Sequence, residues 1–274
     1  MMTEQGVVSL KNVSWQREGK SILHNFSWNV TPNEHWVILG LNGSGKTSIL
    51  QLLMGYQWAS KGEIHVLDQK FGQANIPELR KSIGWVSASI DERYAARGRD
   101  TALDVVLSGK HASIGIYDKI TSEDVSEATL LLQELKIEQL SGQRFSSLSQ
   151  GEKRRVIIAR ALMAKPKILI LDEPCNGLDI FSREQLLETI QSLAETKGGP
   201  TLLYVTHHIE EVVPAISHAL LLNNGSIVAK GEKQSTLTEE NLEKTFQLPL
   251  RLKWEEDRLW LSIQSKQTVT DDQK

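Results

Sequence analysis

Hydrophobic positions in the first ninety residues fall into short runs that read as strands around a single helix. Val7–Trp15 and Ser21–Val30 (SILHNFSWNV) have the character of strands. Pro32-Asn33 makes a turn before His35–Gly40 (HWVILG), a short apolar run typical of a buried strand. Lys46–Met54 then carries helical spacing at Ile49, Leu50, Leu53 and Met54, and Glu63–Leu67 and Ile83–Ser87 predict further strands. From about Asp91 to Phe145 the texture turns helical. Thr101–Gly109, with Asp104 early, predicts a short helix. Ser122–Leu135 shows an apolar stripe at Val125, Ala128, Leu131, Leu132 and Leu135, and Thr121 with Asp124 supplies a capping-box start. Glu152–Met163, Ile168–Leu171, Ser182–Glu195 and Thr201–Thr206 then alternate helix and strand, which implies an α/β fold with a mostly parallel sheet and helical crossovers. Ala219–Leu222 and Ser226–Ala229 predict a hairpin around Asn224-Gly225, and Leu250–Ile263 one more. The expected organisation is one domain over 1–265, a helical part at about 91–150 within it, and a polar tail over 266–274.

Composition narrows the partners more than the fold. The formal net charge is 31 − 34 = −3, so no basic surplus points to nucleic acid as a general partner. A single cysteine, Cys175, excludes an intrachain disulfide and fits a reducing compartment. The N-terminus lacks the basic region and apolar stretch of a secretory signal. No apolar run approaches the roughly 18–20 residues that span a bilayer, so the expectation is a soluble, cytoplasmic chain whose membrane role, if any, comes through a partner.

Two motifs carry phosphate chemistry. Gly40-Leu41-Asn42-Gly43-Ser44-Gly45-Lys46-Thr47, followed by Ser48, matches the pattern G-x-x-x-x-G-K-[ST] between a predicted strand and a predicted helix. Glycines let successive backbone N–H groups point at an anion, and the helix adds its positive N-terminal end. Lys46 is expected on the β- and γ-phosphates of ATP and Thr47 on Mg²⁺. Ile168–Leu171 ends in Asp172-Glu173, where a doubly wound sheet places its ligands. Asp172 suits the Mg²⁺ and Glu173 the attacking water. A strand ending in Asp-Glu is by itself an ordinary loop start, and only the phosphate loop reverses that reading.

Leu148-Ser149-Gln150-Gly151-Glu152, Pro174–Asp179 with its Gly177-Leu178-Asp179, and Thr206-His207 follow in order. Together with the first two motifs they resemble the signature, D-loop and switch histidine of ABC (ATP-binding cassette) ATPases. The resemblance runs from about Val7 to Ile263 and is closest to single-domain ATPases of the iron-complex and molybdate/photorepair kind. It implies a P-loop NTPase core with an N-terminal antiparallel β-subdomain and a helical insert carrying the signature. It also implies that Ser149 and Gly151 cap the γ-phosphate of an ATP held by a second copy, so that a homodimer is expected, and that His207 touches the γ-phosphate and helps hold the transition state.

Two positions depart from the family pattern. Arg17 stands where an aromatic residue usually stacks on adenine, with Trp15 two residues earlier. An arginine plane stacks on a base too, and Trp15 reads equally well as packing. Ala88 stands where a glutamine is usual, with Ser87, Ser89 and Asp91-Glu92 as neighbours able to substitute. The functional expectation is the ATPase subunit of a transporter, peripheral at the inner membrane face, driving a separate permease that docks near Ser87–Arg99. The alternative, a soluble ABC ATPase acting on nucleic acid or ribosomes, draws on Ala88 and lacks the tandem cassettes or coiled coils usual in such proteins. The signature and D-loop argue against a small-molecule kinase.

Overall fold

Chemistry of this kind needs a rigid sheet edge, and the way the strands are ordered provides it. A computed structural model describes residues 6–111, 115 and 119–264; the expected tail at 266–274 lies outside them. The chain begins β1 (Val8–Arg17), β2 (Lys20–Val30), β3 (Trp36–Gly40), α1 (Lys46–Leu53), β4 (Lys61–Val66), β5 (Gln69–Lys70), α2 (Ile76–Lys81) and β6 (Ile83–Val86). A helical stretch follows: α3 (Ala88–Ala95), α4 (Ala102–Leu107), α5 (Ser122–Glu134) and α6 (Gln150–Met163). Then come β7 (Ile168–Asp172), α7 (Ile180–Glu195), β8 (Thr201–Thr206), β9 (His218–Asn223), β10 (Ser226–Glu232), α8 (Lys233–Thr236), α9 (Glu239–Phe246), β11 (Leu250–Glu255) and β12 (Arg258–Ile263).

The central six-stranded sheet runs β10-β9-β3-β8-β7-β6, with parallel pairing from β9 to β6 and β10 antiparallel at its edge. Its unbroken apolar runs serve two cores. Along β3, β7 and β8, Trp36, Ile38, Ile168, Ile170, Leu203 and Val205 face one cluster, which includes α1 and the four-stranded sheet β2-β1-β4-β5. Val37, Leu39, Leu169, Leu171, Leu202 and Tyr204 face the other, which includes α4, α5, α6 and α7. Burial on both faces is why these strands do not alternate with polar residues.

Helix starts follow their local chemistry. Thr101, Thr121 and Ser149 each close a capping box, with Asp104, Asp124 and Glu152 respectively. The stripe expected on α5 is narrower than the sequence suggests. Val125 is 39% exposed, because the neighbouring Asp124 turns inward to bond Thr121 and Lys110 at 2.8 and 2.7 Å. The helical part starts at Ala88, three residues before Asp91, so the segment expected to dock the permease begins with a helix. The tryptophans divide: Trp15, Trp28 and Trp36 are buried, Trp85 is half-buried, and Trp58, Trp254 and Trp260 are exposed.

Candidate active site

In-register parallel pairing aligns the carboxyl ends of four strands. Leu39 lies opposite Thr206, Asp172 opposite Val205, and Val86 opposite Leu171. The residues that follow each strand therefore form a row along one edge: the loop after Gly40, His207, Asp172-Glu173 and Ser87.

The loop between β3 and α1 is shaped by close approach. A Cβ at Gly40 would lie 2.5 Å from both Ser44 Oγ and the Leu222 carbonyl, so only glycine lets Ser44 fold under the strand end. Gly45 enters α1 with φ of +105°, and that helix has neither a side-chain cap nor an acid in its first turn. Ser44 Oγ is buried without a hydrogen-bond partner. The loop is buttressed from behind by the Asn224-Gly225 turn, whose Gly225 N–H donates to the Ser44 carbonyl at 3.0 Å. An uncapped helix start, an orphaned hydroxyl and a buried lysine fit an anion such as the phosphates of ATP.

Lys46 is 5% exposed, and its Nζ donates to the carbonyls of Gly40 and Leu41 at 2.8 and 3.2 Å. Burial pulls its pKa down, against the opposing fields of Glu173 and Asp172. Glu173 Oε1 lies 3.7 Å from Lys46 Nζ and 3.3 Å from His207 Nδ1. Its backbone sits at φ +48°, a strained value for a non-glycine residue, held by a 2.9 Å bond from its N–H to the Val205 carbonyl. That twist turns the side chain to the lysine and the histidine at once. Asp172 is half-buried, and burial followed by the adjacent Glu173 charge raises its pKa to about 6. Exposed Thr47 and this carboxylate are hard oxygen donors, which suits Mg²⁺ completed by phosphate oxygens. Asn42 and Gly43 are exposed at the mouth of the loop, and Ser48 is half-buried one residue into the helix.

His207, not His208, faces the carboxylate; His208 is more exposed and lies 3.4 Å from Glu210. A network invisible in the sequence anchors this turn. Buried Glu211 accepts hydrogen bonds from Tyr204 and Thr206 at 2.8 and 2.6 Å, and Thr206 Oγ1 in turn accepts the His208 N–H. Cys175 is buried beside Tyr204, and burial pushes its thiol up to about 12, so it is inert as a thiolate.

Ser149 caps α6 by accepting the Glu152 N–H at 3.3 Å, while its hydroxyl donates to the Glu152 carboxylate at 2.8 Å, and a Cβ at Gly151 would meet Ser182 Cβ at 3.0 Å. Glycine there lets the start of α6 press on the first turn of α7, whose own cap is Asp179 bonded to Ser182. Trp15 is 6% exposed and belongs to the N-terminal core, so it offers no face to a base. Arg17 is exposed at the β1–β2 turn, 3.7 Å from Glu18, and is the surface residue of that pair.

Ala88 opens α3, exposed. Beside it, buried Ser87 bonds Ser89 at 2.9 Å, and the pairing of β6 with β7 puts Ser87 next to Asp172. Asp91 turns inward to Arg154 on α6 at 3.2 Å, a buried ion pair whose geometry leaves Asp91 Oδ1 and Arg154 Nε without hydrogen-bond partners.

Comparison with known proteins gives a consistent picture. The family described as "ABC transporter" matches residues 23–176. An uncharacterized ABC transporter ATP-binding protein, YlmA, of Bacillus subtilis (strain 168) is 44% identical, over 93% of this chain and 97% of its own length. The molybdate import ATP-binding protein MolC of Haemophilus influenzae (strain ATCC 51907 / DSM 11121 / KW20 / Rd) is 30% identical over 89% of each chain. Among solved structures, a chain of an inward-facing ABC transporter superposes with a TM-score of 0.77 at 27% identity, over 95% of this chain and 98% of its own.

Proposed function

This chain belongs to the ABC transporter ATP-binding family, and from that premise we propose that two copies clamp ATP between them and drive a separate membrane permease. It is the ATP-binding, ATP-hydrolysing subunit of a transporter. No helix among the described residues is long and apolar enough to cross a membrane. The proposed location is accordingly the cytoplasmic face, bound to the permease. The nucleic-acid or ribosome alternative has no counterpart among the relatives described above.

The observation that carries the site assignment is the meeting of Glu173 with Lys46 and His207, three residues far apart in the chain. Backbone N–H groups of the Gly40–Thr47 loop and Lys46 hold the β- and γ-phosphates, the lysine exchanging its two carbonyl partners for phosphate oxygens. Thr47 and Asp172 would hold Mg²⁺, which neutralises charge on those oxygens. Glu173 orients the attacking water and accepts its proton, and His207 fixes the carboxylate while its ring faces the phosphate. Arg17 flanks the adenine. Ser149 and Gly151 present the start of α6 to the γ-phosphate held by the other copy, so neither copy has a complete site alone. Functionally the chain is one ATPase domain over 1–265, whose helical part begins at Ala88.

A groove of about 390 Å³ between β6, α2, α3 and α6, lined by Tyr56, Arg80, Trp85, Ser89 and Arg93, suits the permease contact. Tyr56 in its wall is itself exposed, adding aromatic surface to the groove. The test is a native pull-down of tagged Glu173→Gln trapped with ATP and Mg²⁺ in mild detergent. A stoichiometric polytopic membrane protein is expected. Recovery of only ribosomes or nucleic acid would overturn the permease assignment.

A further inference from the structure

We propose that Ile180 and Phe181 of one copy dock into an apolar groove of the second copy, fastening the ATP-bound dimer, an inference that rests on the two-copy reading above. Ile180 and Phe181 are 74% and 71% exposed, the highest values among the large hydrophobic residues of the described chain. They stand together at the first turn of α7, directly after the Asp179 cap. An adjacent pair of uncovered apolar side chains marks a contact surface rather than chance exposure.

A matching receptor lies on the same face. A groove of about 430 Å³ is lined by Leu41, Leu248, Trp260 and Ile263, with Arg183 and His207 at its polar side. Leu41, Leu248, Trp260 and Ile263 are themselves exposed. The β11–β12 hairpin, which the ATP chemistry does not use, forms much of its wall.

Position ties the two together. The projecting pair is joined to the Ser149–Gly151 segment, because Gly151 packs on Ser182, the residue after Phe181. The groove is joined to the phosphate site, because Leu41 lies in the phosphate loop and His207 bonds Glu173. In the proposed dimer, Ser149–Gly151 of one copy faces the loop of the other and the projecting pair faces the other's groove. Arg183 lines the groove only two residues beyond Phe181, so projection and groove are neighbours on each copy. A two-fold axis between them seats both pairs reciprocally and closes the assembly at two copies.

The test uses the full chain as Glu173→Gln with ATP and Mg²⁺. Phe181→Asp changes an exposed residue and is expected to fold normally but to weaken ATP-dependent dimerisation at least about tenfold by sedimentation. In a mixture of two tagged chains of different mass, Phe181→Cys in one and Ile263→Cys in the other, oxidation is expected to give a mixed covalent dimer that requires ATP. Native Cys175 is buried and does not compete. ATP-dependent dimers that form equally well with Phe181→Asp and give no mixed cross-link overturn the inference while leaving the two-copy reading intact. Phe181→Asp that dimerises normally but loses the permease assigns the pair to the permease instead and equally overturns it. No ATP-dependent dimer of the Glu173→Gln parent removes the two-copy reading itself, and this contact with it.

Discussion

Replacing Asp91 by asparagine isolates one buried titration. Asp91 is 6% exposed on α3, and its carboxyl pKa is raised from 3.8 to about 6, burial outweighing the attraction of Arg154 and Lys153. A carboxyl that binds its proton more tightly in the fold than in the unfolded chain contributes stability in acid. That contribution is complete below the unfolded value of 3.8 and is lost as the pH rises through about 6. At about 1.4 kcal/mol per unit, the interval is worth roughly 3 kcal/mol. Asparagine keeps the shape and does not titrate. Urea unfolding of both proteins between about pH 4 and about pH 7 is therefore expected to show the wild-type stability falling relative to the variant by roughly 3 kcal/mol. The Arg154 attraction is already contained in that net shift, so it adds no separate loss; the changed hydrogen-bonding capacity of asparagine sets only an offset. Because asparagine does not titrate, the slope reads the net balance between burial of the carboxylate and its attraction to Arg154 and Lys153. Parallel pH profiles would refute the desolvation argument. A difference that grows with pH would show that Arg154 stabilises the ionised carboxylate more than burial penalises it.

Three further outcomes test the site directly. Lys46→Ala is expected to weaken ATP binding about 10- to 100-fold, since it removes charged hydrogen bonds to phosphate; unchanged affinity in equilibrium titration would remove the lysine from the site. Glu173→Gln should slow steady-state ATP turnover about 10²- to 10⁴-fold with nucleotide binding retained, and normal turnover would move the water-orienting role elsewhere. Ser149→Arg alters an exposed residue and costs about 1 kcal/mol of helix capping, so the monomer should fold while ATP-dependent dimerisation fails; intact dimers on a sizing column would refute the opposed-copy arrangement.

The sequence by itself determined whatever depends on neighbouring residues. The phosphate loop was legible because its glycine conformations, lysine and helix start are contiguous, and the capping box of α5 because it spans a few residues. The Asn224-Gly225 hairpin followed for the same reason, with both turn residues at positive φ. Helices α2, α8 and α9 were missed, being short and lacking a long apolar stripe, and α3 begins three residues before the expected helical part. Tertiary structure alone decided which distant side chains meet. Alternating strand and helix signals do not encode the order β3-β8-β7-β6, and that order is what sets Lys46, His207 and Glu173 together. It likewise buried Trp15 and left Arg17 outside, turned Asp91 onto Arg154, and wired Tyr204 and Thr206 to Glu211. These contacts depend on how sheets and helices stack around two cores, a consequence of packing between segments that no local pattern specifies.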